Sequence, residues 1–224
     1  MKLPAFYPII DADLVPAVPA AEAMLEAGAR ILQFRHKSFF SRTAFEAASR
    51  ISELCRRAGA LFIVNDRADI AMLLDAGLHL GQDDLAPADA RRIMPAGSII
   101  GFSTHNEAQL RAAAQEPADY LALGPIFGTA SKANPDPTVG LEGLRKLRAL
   151  TARPLVAIGG ITRENAGAVL KAGADSVAVI GDLFPEDGNI ARRVKEWLEI
   201  TGHIAPLLRA RDQTGPAHEI SGSG

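Results

Sequence analysis

The chain is poor in cysteine and in aromatic residues. Its 224 residues include one cysteine, one tryptophan and two tyrosines. A single cysteine excludes an internal disulfide and is typical of proteins that fold in a reducing compartment. Cys55 lies in a helix-like pattern with Ile51, Leu54 and Ala58, which predicts a buried and unreactive thiol.

The sequence also lacks a dominant charge and a long apolar run. The formal net charge is −2 at pH 7, so no overall field indicates binding to nucleic acid or to an acidic membrane surface. No stretch approaches the roughly 18 apolar residues that a membrane-spanning helix requires. We therefore expect a soluble, cytoplasmic protein whose partners are small molecules rather than nucleic acid or a membrane.

What the chain does contain is a regular alternation of apolar strand-like segments and helical patterns. Hydrophobic residues make up 48% of the sequence, which is enough for one sizeable core. Strands are predicted at 6–11, 31–35, 61–64, 78–80, 98–102, 120–123, 155–158 and 176–180. Helices are predicted at 20–27, 42–58, 68–75, 87–93, 107–114, 165–172 and 191–200, with one more that ends at Leu150.

This alternation predicts an α/β fold with a parallel sheet closed on itself, the (β/α)8 TIM barrel, as a single domain over residues 1–200. A doubly wound open sheet is the alternative. Its first turn is usually rich in glycine, whereas no glycine follows the first strand before Gly28. Residues 201–224 lack a sustained pattern and are expected to form a flexible tail or a homo-oligomer contact.

The second predicted strand has a polar end. Gln33, Arg35 and Lys37 recur at every second position directly after the apolar pair Ile31-Leu32. An extended backbone places alternate side chains on one face, so these three side chains share a face. A strand that begins in a core and ends in this pattern predicts a cavity that receives an anion.

Polar residues also follow the other predicted strands, and a barrel brings all of these strand ends to one mouth. Asp66 and Asp84 follow neighbouring strands, which lie about 4.8 Å apart, so both carboxylates can reach one cation. Two carboxylates without cysteine favour Mg²⁺ or Ca²⁺ over zinc. The cations Arg35, Lys37 and Lys132 surround the same point and indicate a metal-bound pyrophosphate. Taken alone, Asp66 is more simply a helix cap, and each lysine is a solvated surface residue.

A second anion site is indicated on the opposite side of the mouth. Gly159 and Gly160 follow the seventh strand and Gly181 follows the eighth, where backbone N–H groups commonly cradle a phosphate. Plain turn geometry also explains such glycines. Near these strand ends, His105 is expected either to orient Ser103 or to face solvent, and His79 is more simply a satisfied core histidine.

As an ordered set, these residues resemble the thiamine phosphate synthase family from the first strand to about Phe184. The resemblance rests on Gln33-x-Arg35-x-Lys37, Asn65-Asp66-Arg67, His79-Leu80-Gly81-Gln82-x-Asp84, Gly101-x-Ser103-x-His105, Asp119-Tyr120, Gly124-Pro125-Ile126-Phe127-x-Thr129-x-Ser131-Lys132 and Ile158-Gly159-Gly160-Ile161. It implies a transferase that joins a hydroxymethylpyrimidine diphosphate to a thiazole phosphate with Mg²⁺, releasing pyrophosphate.

The resemblance also implies a role for each matched position. Asp66 and Asp84 would hold Mg²⁺. The pyrophosphate would contact Arg35, Lys37, Asn65 and Lys132, and the pyrimidine would contact Gln33 and Ser103. The thiazole phosphate would contact Thr129, Gly160, Ile180 and Gly181, and Ser131 would also bind substrate. Of these, the catalytic set would be Arg35, Lys37, Ser103 and Lys132.

The chain departs from the family pattern in the eighth strand end and in the long loop. The family usually has serine at the position of Gly181 and proline at that of Gly128, and Asn134-Pro135-Asp136-Pro137 resembles an insert. One alternative function is a thiazole tautomerase on the same barrel, which would need a histidine base such as His105 but no pyrophosphate site. Another is a non-catalytic binding protein of the thiamine pathway.

Overall fold

The computed structural model describes residues 2–128 and 136–212, with side chains described as far as His203. The strands are β1 (Phe6–Asp11), β2 (Ile31–Arg35), β3 (Leu61–Asn65), β4 (Gly77–Leu80), β5 (Ile100–Thr104), β6 (Tyr120–Leu123), β7 (Leu155–Ile158) and β8 (Ser176–Val179). The helices are α1 (Ala17–Glu26), α2 (Arg42–Ala58), α3 (Ala68–Leu73), α4 (Pro87–Ile93), α5 (Glu107–Ala113), α6 (Gly140–Arg148), α7 (Ala166–Lys171) and α8 (Ile190–Asp212). A short 3₁₀ turn, Gly181–Leu183, follows β8.

The strands form one closed barrel in chain order, and every pair is parallel. Closure occurs where β1 pairs with β8, with Phe6 opposite Val177. This confirms the predicted (β/α)8 barrel and excludes the open sheet. Because all strands run in the same direction, their carboxyl ends meet at one mouth.

Local signals explain why several helices begin and end where they do. The Ser41 hydroxyl caps α2 by accepting a hydrogen bond from the backbone N–H of Ala44 at 3.2 Å. Gly59 ends the same helix in a left-handed conformation, with φ of 62°. Pro87 occupies the first turn of α4, where its missing N–H costs nothing.

Two predicted caps and three element bounds are corrected by the structure. Asn65 lies within β3, and α3 begins after Arg67 without a side-chain cap, so the prediction that Asn65 or Asp66 caps this helix is wrong. The fifth strand lies two residues later than predicted, and the first helix starts at Ala17. The last helix continues to Asp212, beyond the predicted end at residue 200.

The barrel has two separate apolar cores. The outer core lies between strands and helices and contains Phe6, whose ring stacks on Trp197 of α8 with 5.4 Å between centroids. The inner core is built from strand residues and Leu3, so it fills the barrel itself. Cys55 is buried in the outer core, and burial raises the pKa of its thiol to about 12, which confirms the predicted inert cysteine.

Polar side chains join the inner core in a hydrogen-bonded row. Gln33 Nε2 donates to the Tyr7 hydroxyl at 2.9 Å, and the Tyr7 and Tyr120 hydroxyls are 2.9 Å apart. His79 Nδ1 lies 2.9 Å from the Tyr120 hydroxyl, and its Nε2 lies 2.9 Å from the Ser103 hydroxyl. Because buried polar groups are costly unless they are paired, this row allows polar side chains to occupy the barrel interior.

No helix among the described residues is long and apolar enough to cross a membrane.

We predict that Gly101→Ala destabilises the barrel. A Cβ at Gly101 would overlap the Tyr120 ring, which passes directly over the glycine. Overpacking of this kind typically costs about 1–3 kcal/mol, and urea unfolding measures it. Gly202→Ala in α8 is the matched control, since a Cβ there meets nothing within 4 Å. Equal stability of the two variants would contradict the prediction.

We also predict that His79 makes the fold less stable at acid pH. Burial is the main reason why the pKa of His79 is lowered from 6.5 to about 4. The unfolded chain therefore takes up the proton first, so this stability is present above pH 6.5 and is lost as the pH falls towards 4. The loss between pH 7 and pH 5 should be about 2 kcal/mol. In urea titrations at pH 7 and pH 5, the free energy of unfolding of His79→Phe should lack this pH-dependent loss. If the wild type and the variant lost equal stability over this range, the prediction would be contradicted.

Candidate active site

The mouth of the barrel collects the polar strand ends that the sequence predicts. Within the described residues it contains Gln33, Arg35, Lys37, Asn65, Asp66, Asp84, Ser103, Gly160, Ile180 and Gly181. The other three predicted residues, Thr129, Ser131 and Lys132, lie outside the described part of the chain. The contacts of the described set therefore define the site.

The three polar residues at the end of β2 lie in two places: Gln33 is in the barrel interior, and Arg35 and Lys37 are at the mouth. Gln33 is buried and bonds to Tyr7 in the inner core. The Arg35 guanidinium pairs with the Asp11 carboxylate, and these two residues are opposite each other in the β1–β2 register. The Lys37 ammonium pairs with the Asp66 carboxylate. The two cations are thus neutralised by carboxylates at neighbouring strand ends.

Asp66 occupies a special position after β3. Its backbone lies in the left-handed region, with φ of 64°, and its N–H donates to the His79 carbonyl at 2.8 Å. Burial raises the pKa of the Asp66 carboxyl, Lys37 opposes this, and contact with the Asp84 carboxyl raises it further. Asp66 and Asp84 therefore face each other closely enough to interact directly.

Asp84 is held by the turn that follows β4. Its Oδ2 accepts a hydrogen bond from the Gly81 N–H at 2.7 Å, which orients the carboxylate towards Asp66. In the same turn, Gln82 Nε2 donates to the Ser103 carbonyl at 2.6 Å. The turn thus positions a carboxylate and also holds the end of β5.

Asn65 contributes an unsatisfied donor to this region. The residue is buried, and its Nδ2 has no hydrogen-bond partner among residues 2–128 and 136–203. A buried amide without a partner is costly, so such a group is typical of a site that binds a polar ligand. Asn65 directly precedes Asp66, which puts this donor beside the carboxylate pair.

The sequence reasoning missed two aspartates at the end of β1. Asp11 pairs with Arg35, while Asp13 accepts from the Lys37 N–H at 2.6 Å and lies 2.8 Å from the ring of His36. Burial raises the pKa of the Asp13 carboxyl, but the hydrogen bonds from Ser38 and Lys37 and the charge of His36 outweigh it and lower the pKa overall. The available signal was the pattern Asp-x-Asp at the end of a barrel strand.

Of the two histidines near the strand ends, His79 contacts Ser103 and His105 contacts a backbone carbonyl. His79 Nε2, and not His105, contacts the Ser103 hydroxyl. His105 Nδ1 lies 2.6 Å from the Gly124 carbonyl and 3.6 Å from Asp136, so of the two possibilities left open for His105, orienting Ser103 is excluded. His79 is satisfied in the core, as the sequence predicted, but it also touches a candidate site residue.

The glycines after β7 are required by close packing. Gly159 and Gly160 have φ of 94° and 64°, and a Cβ at Gly160 would overlap Phe127 and the Gly128 carbonyl. A Cβ at Gly181, by contrast, meets nothing within 4 Å. Positive φ and close packing therefore account for the first two glycines without a ligand, while Gly181 borders open space.

Comparisons with known proteins agree on one family. A family model described as thiamine monophosphate synthase matches residues 6–183. The thiamine-phosphate synthase of Koribacter versatilis is 46% identical over 210 residues, which cover 89% of this chain and 97% of the relative. That of Methanoculleus marisnigri is 49% identical over 160 residues, covering 71% and 76%.

A solved structure gives the same answer at the level of the fold. The thiamine phosphate pyrophosphorylase from Pyrococcus furiosus superposes with a TM-score of 0.82 at 36% identity, covering 90% of this chain and 96% of that chain. The residues matched by the family model, 6–183, include all eight strands and every described site residue. The chain therefore belongs to the thiamine-phosphate synthase family.

Proposed function

We propose that this protein condenses 4-amino-2-methyl-5-hydroxymethylpyrimidine diphosphate with a hydroxyethylthiazole phosphate to give thiamine phosphate and pyrophosphate. The observation that carries the proposal is the cluster of Asp66, Asp84 and Lys37 beside the unpaired amide of Asn65. Opposed carboxylates, an adjacent cation and a free donor are the groups that a metal-bound diphosphate needs. Family membership supplies the substrates.

The carboxylate pair fits a hard divalent cation. Asp66 and Asp84 repel each other when both are ionised, which is why their contact raises the pKa of Asp66. Oxygen ligands without cysteine suit Mg²⁺, which usually takes its remaining ligands from water and substrate phosphates. When bound between the two carboxylates, Mg²⁺ would neutralise charge that develops on the departing pyrophosphate.

Arg35 and Lys37 would bind the diphosphate with the N–H donors that their carboxylate partners, Asp11 and Asp66, leave available. Arg35 carries five N–H donors and uses part of them for Asp11, so the rest remain for phosphate oxygens. Lys37 is half exposed in its pair with Asp66, which leaves its ammonium accessible from the mouth. Asn65 Nδ2 would gain the acceptor that it lacks, and Lys132 would add a third cation.

The remaining predicted residues would hold the two rings and the second phosphate. Gln33 and Ser103 would contact the pyrimidine, since they lie at the two ends of the polar row inside the barrel. The thiazole phosphate would contact Thr129, Ser131, Gly160, Ile180 and Gly181. Gly181 has no hydroxyl to offer, so its contribution would be its backbone N–H.

The reaction then needs no enzyme nucleophile. The bond between the pyrimidine methylene carbon and the diphosphate oxygen breaks, and the electron pair leaves with pyrophosphate. The electron-rich aminopyrimidine stabilises the cation that remains, and the lone pair of the thiazole nitrogen forms the new carbon–nitrogen bond. Arg35, Lys37 and Lys132 stabilise the leaving group by their fixed positive charge.

A tautomerase would use a different part of the mouth. It would move protons on a thiazole phosphate and would need neither Asp84 nor Lys37. The Gly124 carbonyl accepts from His105 Nδ1, so Nε2 would be the basic nitrogen of this histidine. What favours the synthase is the cluster of Asp66, Asp84 and Lys37, for which a tautomerase has no use. Homo-oligomer formation and cytoplasmic location stay predictions from the sequence.

We predict that Asp84→Asn and Lys132→Ala each reduce condensation about 100-fold or more, because the first removes a carboxylate that would hold Mg²⁺ and the second removes a positive charge from the leaving-group site. Circular dichroism should show an intact fold, since residues at the mouth contribute little to the packing of the hydrophobic core. Asp83→Asn and Lys146→Ala are the matched controls, as both residues are exposed. Full condensation activity of Asp84→Asn and Lys132→Ala would contradict the proposed function.

We further predict that rapid release of pyrophosphate requires Mg²⁺ and both substrates together. Removal of the metal with EDTA should stop thiamine phosphate formation, and added Mg²⁺ should restore it, because Asp66 and Asp84 alone repel the diphosphate. The measurement follows pyrophosphate and thiamine phosphate in parallel. Isomerisation of the thiazole phosphate without diphosphate turnover would instead support the tautomerase.

A further inference from the structure

The polar row inside the barrel links two substrate positions through residues that have no assigned role. Tyr7 of β1, Tyr120 of β6 and His79 of β4 form its middle, and all three are buried. Its ends are Gln33 of β2 and Ser103 of β5. Each of the consecutive contacts is 2.9 Å, which is an ordinary hydrogen-bond length.

With Gln33 Nε2 as the donor to Tyr7, counting protons sets the direction of the other three bonds in the row. Gln33 Nε2 is a donor, so the Tyr7 oxygen accepts from it and the Tyr7 proton must go to Tyr120. The Tyr120 proton then goes to His79 Nδ1. A neutral imidazole has one proton, which must lie on Nε2 and point to Ser103.

A mixed arrangement leaves a buried group without a partner. If Ser103 donated to His79 while Gln33 donated to Tyr7, the Tyr120 proton would have no acceptor within the row. An unmade hydrogen bond in the interior is costly, so the row switches as a unit or not at all. Complete reversal requires the Gln33 amide to turn over.

The direction determines what the two ends offer to a ligand. Gln33 uses its amide nitrogen within the row, and its Oε1 has no hydrogen-bond partner among the described residues, so it is the open acceptor. The Ser103 oxygen accepts a hydrogen bond from His79 Nε2–H, so the Ser103 hydroxyl can donate its own proton in a hydrogen bond to a ligand. A 4-aminopyrimidine carries the complementary pair, an amine that donates and an adjacent ring nitrogen that accepts.

We propose that Tyr7, Tyr120 and His79 are positioning residues that make Gln33 and Ser103 a matched acceptor and donor for the aminopyrimidine edge. The proposal rests on the proposed function for the identity of the ring. The direction of the row rests only on the contacts within the barrel. If the row served only the stability of the barrel, it would still pair its buried polar groups. There would then be no reason for it to end at Gln33 and Ser103, the two residues proposed to contact the pyrimidine.

The first experiment reads the direction without any activity. Wild-type protein labelled with nitrogen-15 in its histidines is examined at neutral pH by a long-range proton–nitrogen correlation, and His79→Gln assigns the His79 signals. We expect the proton on Nε2 and a bare Nδ1. A proton on Nδ1, or on both nitrogens, would overturn the proposal.

The second experiment tests the coupling by kinetics. Tyr7→Phe and Tyr120→Phe each remove one link, so each should lower kcat/KM for the pyrimidine diphosphate about tenfold, while KM for the thiazole phosphate stays the same. The double variant should be no worse than either single one, because one break already uncouples the row. Thr104→Val is the control, since the buried Thr104 hydroxyl donates to the Ala122 carbonyl at 2.8 Å outside the row.

The proposal would be overturned if the double variant lost kcat/KM by the product of the two single losses, or if the variants affected both substrates equally. Either result would show that the tyrosines contribute only to the packing of the barrel. So would unchanged kinetics in both single variants. Failure of the proposed function is distinguishable, because wild-type protein would then form no thiamine phosphate. The nitrogen-15 measurement still decides the direction of the row in that case and also where a tyrosine variant does not fold.

Discussion

Closure of the sheet between β1 and β8 is the constraint on which the rest of the molecule depends. It brings residues that are far apart in the sequence, such as Asp11 and Asp84, to one mouth. It also creates an interior that side chains must fill and in which every polar group needs a partner. The polar row meets the second requirement, and the charged pairs at the mouth follow from the first.

The charges at the mouth are balanced locally. Arg35 is paired with Asp11, and Lys37 with Asp66, so each of the two cations at the end of β2 is neutralised by a carboxylate at a neighbouring strand end. This balance differs between the two pairs, because the Asp11 side chain is 7% exposed while the Lys37 side chain is 51% exposed. The second pair is therefore the more readily opened by an incoming anion, whereas the first fixes the orientation of the guanidinium.

The sequence was sufficient to predict the barrel and the polar residues that lie at its strand ends, but not the side chains that those residues contact. Period-two patterns and strand ends identify Gln33, Arg35 and Lys37, since these depend only on local backbone geometry. Which inward side chains meet across the barrel depends on register and closure, so the contacts of Tyr7 with Tyr120, and of His79 with Ser103, could not be read from spacing. The left-handed backbone of Asp66, which rules out the helix cap considered for this residue taken alone, could not be predicted from the sequence either.

The departure at Gly181 has a consequence for the phosphate site. A Cβ there would meet nothing within 4 Å, so the fold has room for the serine that the sequence resemblance leads us to expect, and packing does not require glycine. Gly160 is different, because its φ of 64° and the nearby Phe127 exclude a side chain. Phosphate contacts on this side of the mouth would therefore come from backbone N–H groups, whose positions depend on the closed barrel and on the turns after β7 and β8 rather than on a hydroxyl.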